Sequence, residues 1–140
     1  MKVVVGGSMT FAKEQIEAKK SLESRGYDVL ITDDIEEFLG DLSVKTKMGF
    51  EDEVELCRKY DVIRTFFNKI AEADAMLVIN GKKKGIEGYL GTSVLMEIGL
   101  AYYLNKKIYL VNPVDRCQSY APEVAAMDPI IIGSDFGLVR

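Results

Sequence analysis

Glu97 is the residue whose surroundings most clearly call for a chemical explanation. The window Val94-Leu95-Met96-Glu97-Ile98-Gly99-Leu100-Ala101 is otherwise wholly apolar. Helical spacing puts Leu90, Val94, Ala101 and Leu104 near the same face as residue 97. A carboxylate buried alone is costly, so in such a helix it is paired, hydrogen-bonded, protonated or used. Two readings stand. In one, Glu97 is structural, held by a lysine or arginine or capping a neighbouring loop. In the other it opens into a cleft and works as an acid, a base or a nucleophile. Gly99, two residues on, lowers helix propensity by about 1 kcal/mol relative to alanine, which points to close packing or backbone approach there.

The chain has no histidine. Ser-His-Asp and Cys-His catalysis are therefore excluded, and with them most zinc sites. Cys57 and Cys117 are isolated and lack metal-ligand spacing, so both are expected to be reduced thiols, with Cys57 packed. Carboxylates, hydroxyls, amides and backbone groups remain to carry any chemistry, and neither cofactor nor metal is expected. Gly6-Gly7-Ser8 follows an apolar run and opens a helix. It is neither a complete GxGxxG fingerprint nor a Walker loop, yet backbone amides in such a turn can cradle a phosphate or a sugar hydroxyl. A plain tight turn explains the same residues. Gly91-Thr92-Ser93 precedes Glu97, and Thr92 or Ser93 reads as the helix N-cap. Exposed amides at that helix start also suit an anion or a hydroxyl. Asp33, Asp34, Asn80, Tyr89 and Asn112 are further polar candidates, each equally at home in a turn.

These residues fall at the joints of a regular alternation. Apolar runs at Lys2–Val5, Tyr27–Ile31, Ala75–Ile79, Lys107–Val111 and Pro129–Ile132 read as strands. Helical patterns occupy Phe11–Arg25, Asp61–Ala73, Tyr89–Asn105 and Tyr120–Met127, and Gly26 ends the first. Continuous apolar strands between helices predict a doubly wound, five-stranded parallel sheet of order 2-1-3-4-5, in one α/β domain over residues 1–140. Ligands of such sheets bind beyond the C-terminal strand ends, where Gly6, Gly7, Ser8, Asp33, Asp34, Asn80, Gly81 and Asn112 lie. The stretch from Ile35 to Tyr60 is acidic, irregular and long for a connection; it reads as a lid, as an arm toward a second subunit, or as a surface excursion.

Hydrophobic residues make up 48% and charged residues 29%, with a net charge of −4. This is the composition of a globular chain, neither disordered nor membranous. No apolar run reaches the ~18 residues of a membrane span, and the N-terminus reads directly into a strand, so a cytoplasmic location is expected. No long basic face suits a nucleic-acid polymer. Lys82-Lys83-Lys84 reads as a solvated turn or as a contact for phosphate.

Gly6-Gly7-Ser8 after the first strand, Ala73-Asp74-Ala75 entering the third, and Met96-Glu97-Ile98-Gly99-Leu100-Ala101 followed by Lys106-Lys107-Ile108 together resemble the nucleoside 2-deoxyribosyltransferase-like superfamily. That group also includes the 2′-deoxynucleoside 5′-monophosphate N-glycosidases. The resemblance spans nearly the whole chain in element order. It implies that Glu97 is a nucleophile attacking the anomeric carbon of a deoxyribose, with a covalent glycosyl-enzyme resolved by water or a second base. It implies a small nucleoside or nucleotide substrate, a ligand lying against Gly6, Gly7 and Ser8, and a homodimer or larger homo-oligomer whose sites borrow residues from a neighbour. Asp33, Asn80, Tyr89, Gly91, Thr92, Ser93 and Asn112 complete the expected substrate-binding set. Two departures stand out. Gly91 occupies the position six before the nucleophile, where the family usually has aspartate or serine. Phe66 falls where many members carry an aspartate, leaving Asp61, Asp33 or Asp34 as possible helpers of the leaving base.

Other readings remain open. The same fold serves non-catalytic nucleotide-binding or sensing modules. The phosphoribohydrolases carry Gly-Gly-x-Gly-Thr-x-x-Glu, which this chain lacks. A flavin carrier would want a Ser/Thr-rich first loop, which is also missing.

Overall fold

The computed structural model describes residues 1–33, 35–36 and 49–140. Five strands alternate with helices in the order β1 (Lys2–Gly7), α1 (Ala12–Glu23), β2 (Asp28–Leu30), α2 (Phe50–Lys59), α3 (Val62–Glu72), β3 (Ala75–Ile79), α4 (Thr92–Tyr103), β4 (Lys107–Leu110), α5 (Ala121–Ala126) and β5 (Ile130–Ile131). Short 3-10 turns occupy Met9–Phe11 and Phe136–Leu138. All strand pairs are parallel and the sheet order is 2-1-3-4-5, as the alternation predicts. No described helix is long and apolar enough to cross a membrane.

The strands are continuous apolar runs because both faces of the sheet are covered. Side chains alternate between the faces. Val4, Met76, Val78, Ile108 and Leu110 pack with Phe66, Ile70, Val94, Ile98 and Ala101 from α3 and α4. Val3, Val5, Ala75, Leu77 and Tyr109 pack on the other face with Ala18 and Leu22 of α1 and with Val139. Chain direction explains the split: moving from β1 to β2 and then back across to β3 with right-handed crossovers places α1 on one face and α3 on the other.

Two expectations about helices change. The helix expected over Tyr89–Asn105 begins only at Thr92, because Gly88 is left-handed at φ +62° and the Tyr89 amide bonds the Gly81 carbonyl at 2.9 Å. Gly91, not Thr92 or Ser93, is its N-cap, and no side chain caps it. Within the stretch expected to be irregular, Phe50–Lys59 is a helix. Its apolar positions Phe50, Val54 and Cys57 follow helical spacing, and acids in its first turn with Arg58 and Lys59 in its last complement the helix dipole. Asp34 and residues 37–48 lie outside the described residues.

Gly88 passes so close to the loop after β4 that a Cβ there would sit 2.1 Å from the Pro113 carbonyl oxygen. Gly133 has a similar φ of +60° but open space around it. Gly88→Ala is therefore expected to cost about 3 kcal/mol or more, and Gly133→Ala only about 1 kcal/mol. Urea denaturation of the two variants separates the steric part from the backbone part.

Candidate functional site

The C-terminal ends of the strands carry most of the candidate residues. At the end of β1 the backbone is nearly crowded out by its neighbours. A Cβ on Gly6 would meet the Phe66 ring and the Met76 methyl at 3.2 Å, and one on Gly7, at φ +142°, would lie 2.5 Å from the Ile79 carbonyl oxygen. Gly7 therefore admits no side chain, and one at Gly6 would press on the Phe66 ring and the Met76 methyl. Ser8 follows as N-cap of the Met9–Phe11 turn, its hydroxyl accepting from the Thr10 amide at 3.3 Å. The fully buried Gln15 donates from Nε2 to the Ser8 carbonyl at 2.9 Å.

At the ends of β3 and β4, Asn80 and Asn112 hold each other. Asn80 Nδ2 donates to the Asn112 carbonyl at 2.7 Å, the Asn112 amide donates to Asn80 Oδ1 at 2.9 Å, and Asn112 Nδ2 donates to the Asn80 carbonyl at 2.9 Å. Asn80 is fully buried. Its amide therefore ties two loops together rather than facing solvent. Asn112 remains partly accessible.

The loop from Gly81 to Tyr89 brings Lys83 to Ser8. Lys83 Nζ donates to Ser8 Oγ at 3.0 Å and lies 5.2 Å from the centroid of the Tyr89 ring. Tyr89 in turn lies against Gly91, whose would-be Cβ is 3.7 Å from the ring. Gly91 thus connects this cluster to the first turn of α4. Thr92 and Ser93 are exposed on that turn. From sequence Lys83 reads as part of a solvated turn or as a contact for phosphate; the signal for its fixed position is Lys84-Gly85, a pair able to take two successive left-handed conformations. Gln15 gave no sign, since a glutamine on a helix between charged residues reads as surface.

Glu97 lies less than two turns along α4. Val94, Ile98 and Ala101 form the buried stripe of that helix, and Glu97 sits at its edge, partly buried. No hydrogen bond or ion pair ties its carboxyl among the described residues. Burial pushes that carboxyl up to about 7, and loss of hydration is its cause. Two open concavities of about 350 and 500 Å³ lie along α2 and α3. Their described lining runs from Phe50 to Phe67 and does not include Glu97.

Two of the three acids considered as helpers of a leaving base are paired, and the third, Asp34, lies outside the described residues. Asp33 accepts from Lys69 Nζ at 2.6 Å, and Asp61 pairs with Arg64 at 3.1 Å. Phe66 is buried against Gly6. Cys57 is partly buried and Cys117 exposed, both as free thiols.

No protein-family model matches this chain, and no curated protein sequence does. The fold itself has solved counterparts. It is similar to a 2-deoxyribosyltransferase from the psychrotolerant bacterium Bacillus psychrosaccharolyticus, with a TM-score of 0.54 and 17% identity over 94% of this chain and 98% of that one. A Clostridium botulinum CMP N-glycosidase aligns over 91% of this chain and 82% of its own at a TM-score of 0.45 and 16% identity. The first likeness establishes a shared single-sheet α/β architecture running nearly end to end.

The raised Glu97 carboxyl has a consequence for stability. Unfolded, the group titrates near 4.5; folded, near 7. Between those values the native state holds the extra proton, so stability falls as pH rises through this interval and stays reduced above it. The reduction is on the order of 2 kcal/mol, discounted for partial exposure. Glu97→Gln is expected to raise the melting temperature by several degrees at pH 8 and scarcely at pH 5, as followed by circular dichroism.

Proposed function

We propose that this chain is a cytoplasmic, homodimeric enzyme that cleaves or transfers the N-glycosidic bond of a (deoxy)nucleoside or its 5′-monophosphate, with Glu97 as the nucleophile. The observation that carries this reading is the Glu97 carboxyl itself. It sits in an apolar helix, partly shielded from water, with no cation beside it among the described residues and its proton held to about 7. A structural glutamate would be locked to a partner; no described residue bonds either oxygen of this one. The fold shared with a 2-deoxyribosyltransferase supports the same reading.

In this mechanism a carboxylate oxygen of Glu97 bonds to the anomeric carbon as the bond to the base nitrogen breaks. The base leaves with that electron pair, and a glycosyl ester remains. Water then adds at the same carbon and releases the carboxylate, or a second base does so in transfer. Splitting one displacement into two lowers each barrier, as in retaining glycosidases. The glycine backbone at Gly6 and Gly7 and the polar groups of Ser8, Asp33, Tyr89, Thr92, Ser93 and Asn112 surround the substrate in this proposal, with Gly91 leaving room and Asn80 bracing the loops.

A second reading, a non-catalytic nucleotide-binding module, draws on specific observations. Phe66 and Gly91 supply no polar group where the resemblance expects one, and Asp33 and Asp61 are already paired. Turnover separates the two readings.

The dimer draws on α4. Its sequence is apolar on nearly every side, a pattern that belongs to buried helices. Yet Met96 is 48% and Tyr103 82% exposed, and space beside Gly99 is open. A second copy packing on this face would cover it.

Screening deoxynucleosides and deoxynucleoside monophosphates for released base, with and without an acceptor base, tests the activity. Glu97→Ala and Glu97→Gln are expected to reduce base release at least a thousandfold while the fold persists. Because a nucleophile must be ionised, kcat/KM is expected to rise with pH to a plateau above about 7; a fall over that range would assign Glu97 as an acid instead. Tyr103→Asp is expected to convert dimer to monomer in sedimentation velocity.

A further inference from the structure

The turn that ends β1 is tied down by a polar side chain in an otherwise apolar stripe. The buried residues of α1 are Ala12, Gln15, Ala18 and Leu22, spaced so that they share one face of the helix. Gln15 stands where an apolar residue would serve the core, and it is 0% exposed. Its Nε2 donates to the Ser8 carbonyl at 2.9 Å. The Phe11 amide donates to the same carbonyl, also at 2.9 Å. Among the described residues no group donates to Gln15 Oε1, although that oxygen is buried.

Such an arrangement does little for stability. A buried acceptor without a donor costs more than one intramolecular hydrogen bond returns, and the Ser8 carbonyl keeps its Phe11 donor whatever stands at position 15. A methionine, close to glutamine in shape, would fill the same space and leave no orphan oxygen. What the amide supplies is position. Gly7 lies beside it: a Cβ on Gly7 would be 3.4 Å from Gln15 Nε2 and 2.5 Å from the Ile79 carbonyl oxygen. At φ +142° Gly7 has the widest choice of backbone conformations, so its neighbours must make the choice. On the far side of the turn Phe11 is buried against Gly81, where a Cβ would meet its ring at 2.9 Å. The Ser8 peptide is thus set by β3, by Gln15 and by the start of the Gly81–Tyr89 loop.

We propose that Gln15 is the positioning residue of the turn after β1: by holding the Ser8 carbonyl it presents the turn to the substrate already in its binding form, and it is kept there at a cost to stability. This rests on the reading of Glu97 and its substrate given above. It adds a residue, touching no substrate itself, that acts on binding rather than on bond breaking.

The test compares the unaltered chain with Gln15→Met and Gln15→Leu in three measurements: melting temperature, amide hydrogen exchange by nuclear magnetic resonance, and base release from deoxynucleosides and their monophosphates. Both variants are expected to melt no lower than the unaltered chain. Exchange at the Thr10 and Phe11 amides is expected to quicken by about tenfold or more, while Leu22 in the same helix is unchanged. KM is expected to rise by about tenfold or more with kcat within about threefold, because Gln15 has no contact with Glu97 through which to alter the chemical step. A lower melting temperature with kcat and KM impaired together would assign Gln15 to structure alone and overturn the proposal. Unchanged exchange at Thr10 and Phe11, or an unchanged KM, would overturn it too and leave the Glu97 reading standing. Should the unaltered chain release no base, the Glu97 reading falls, and exchange at Thr10 and Phe11 alone decides whether Gln15 holds the turn.

Discussion

Parallel strands end in the same direction, so their last backbone groups arrive together at one edge with no ladder left to pair them. Here the problem is met at β3 and β4 by Asn80 and Asn112, each amide serving the other residue's main chain. Leaving such buried groups unmade would cost about 1–3 kcal/mol apiece. The clasp also sets the geometry of everything that departs from this edge. The Gly81–Tyr89 loop leaves directly after Asn80, and Gly88 returns against Pro113, just after Asn112. Lys83, Tyr89 and the start of α4 take their places from those two anchor points.

In the proposed reading, the placement of Glu97 sets folding against use. A helix this apolar would be more comfortable with a neutral side chain at position 97. What keeps the acid tolerable is its edge position beside the Val94–Ile98–Ala101 stripe, where some hydration survives. A group that is neither paired nor fully hydrated is poised between protonation states near neutrality. If Glu97 is the nucleophile proposed above, this tension, offset by a well-packed remainder, is a common relation between stability and activity.

Some of this was legible in the residues and some was not, for identifiable reasons. The strand order followed from continuous apolar runs, which only a two-sided sheet explains, and β3 matched its expected bounds at Ala75–Ile79 because every one of its residues is buried. The start of α4 was misplaced because Tyr89 and Leu90 are apolar enough to extend the helical pattern, while the cause of the break, a close approach of Gly88 to a distant loop, is tertiary. The helix at Phe50–Lys59 was obscured by its acidity, since none of its residues is buried and no core face sharpened the pattern. Asn80 looked like a ligand contact because amide side chains that serve ligands and those that close loops are the same chemistry. For Lys83 the sequence leaves a solvated turn and a phosphate contact both open, because its partner, Ser8, is remote in sequence. For Glu97 the sequence leaves a choice between structure and use, and only its surroundings in space show that no cation claims it among the described residues.

The margins of the sheet have a further consequence. β2 contributes three residues and β5 only two, so the outermost backbone on either side offers few open amides and carbonyls. A foreign strand seeking to extend the sheet would find almost nothing to template on. Any self-association is thereby steered away from strand addition, the route that ends in fibrils, and toward helical surfaces, where contact can close on itself and stop at a finite number of copies.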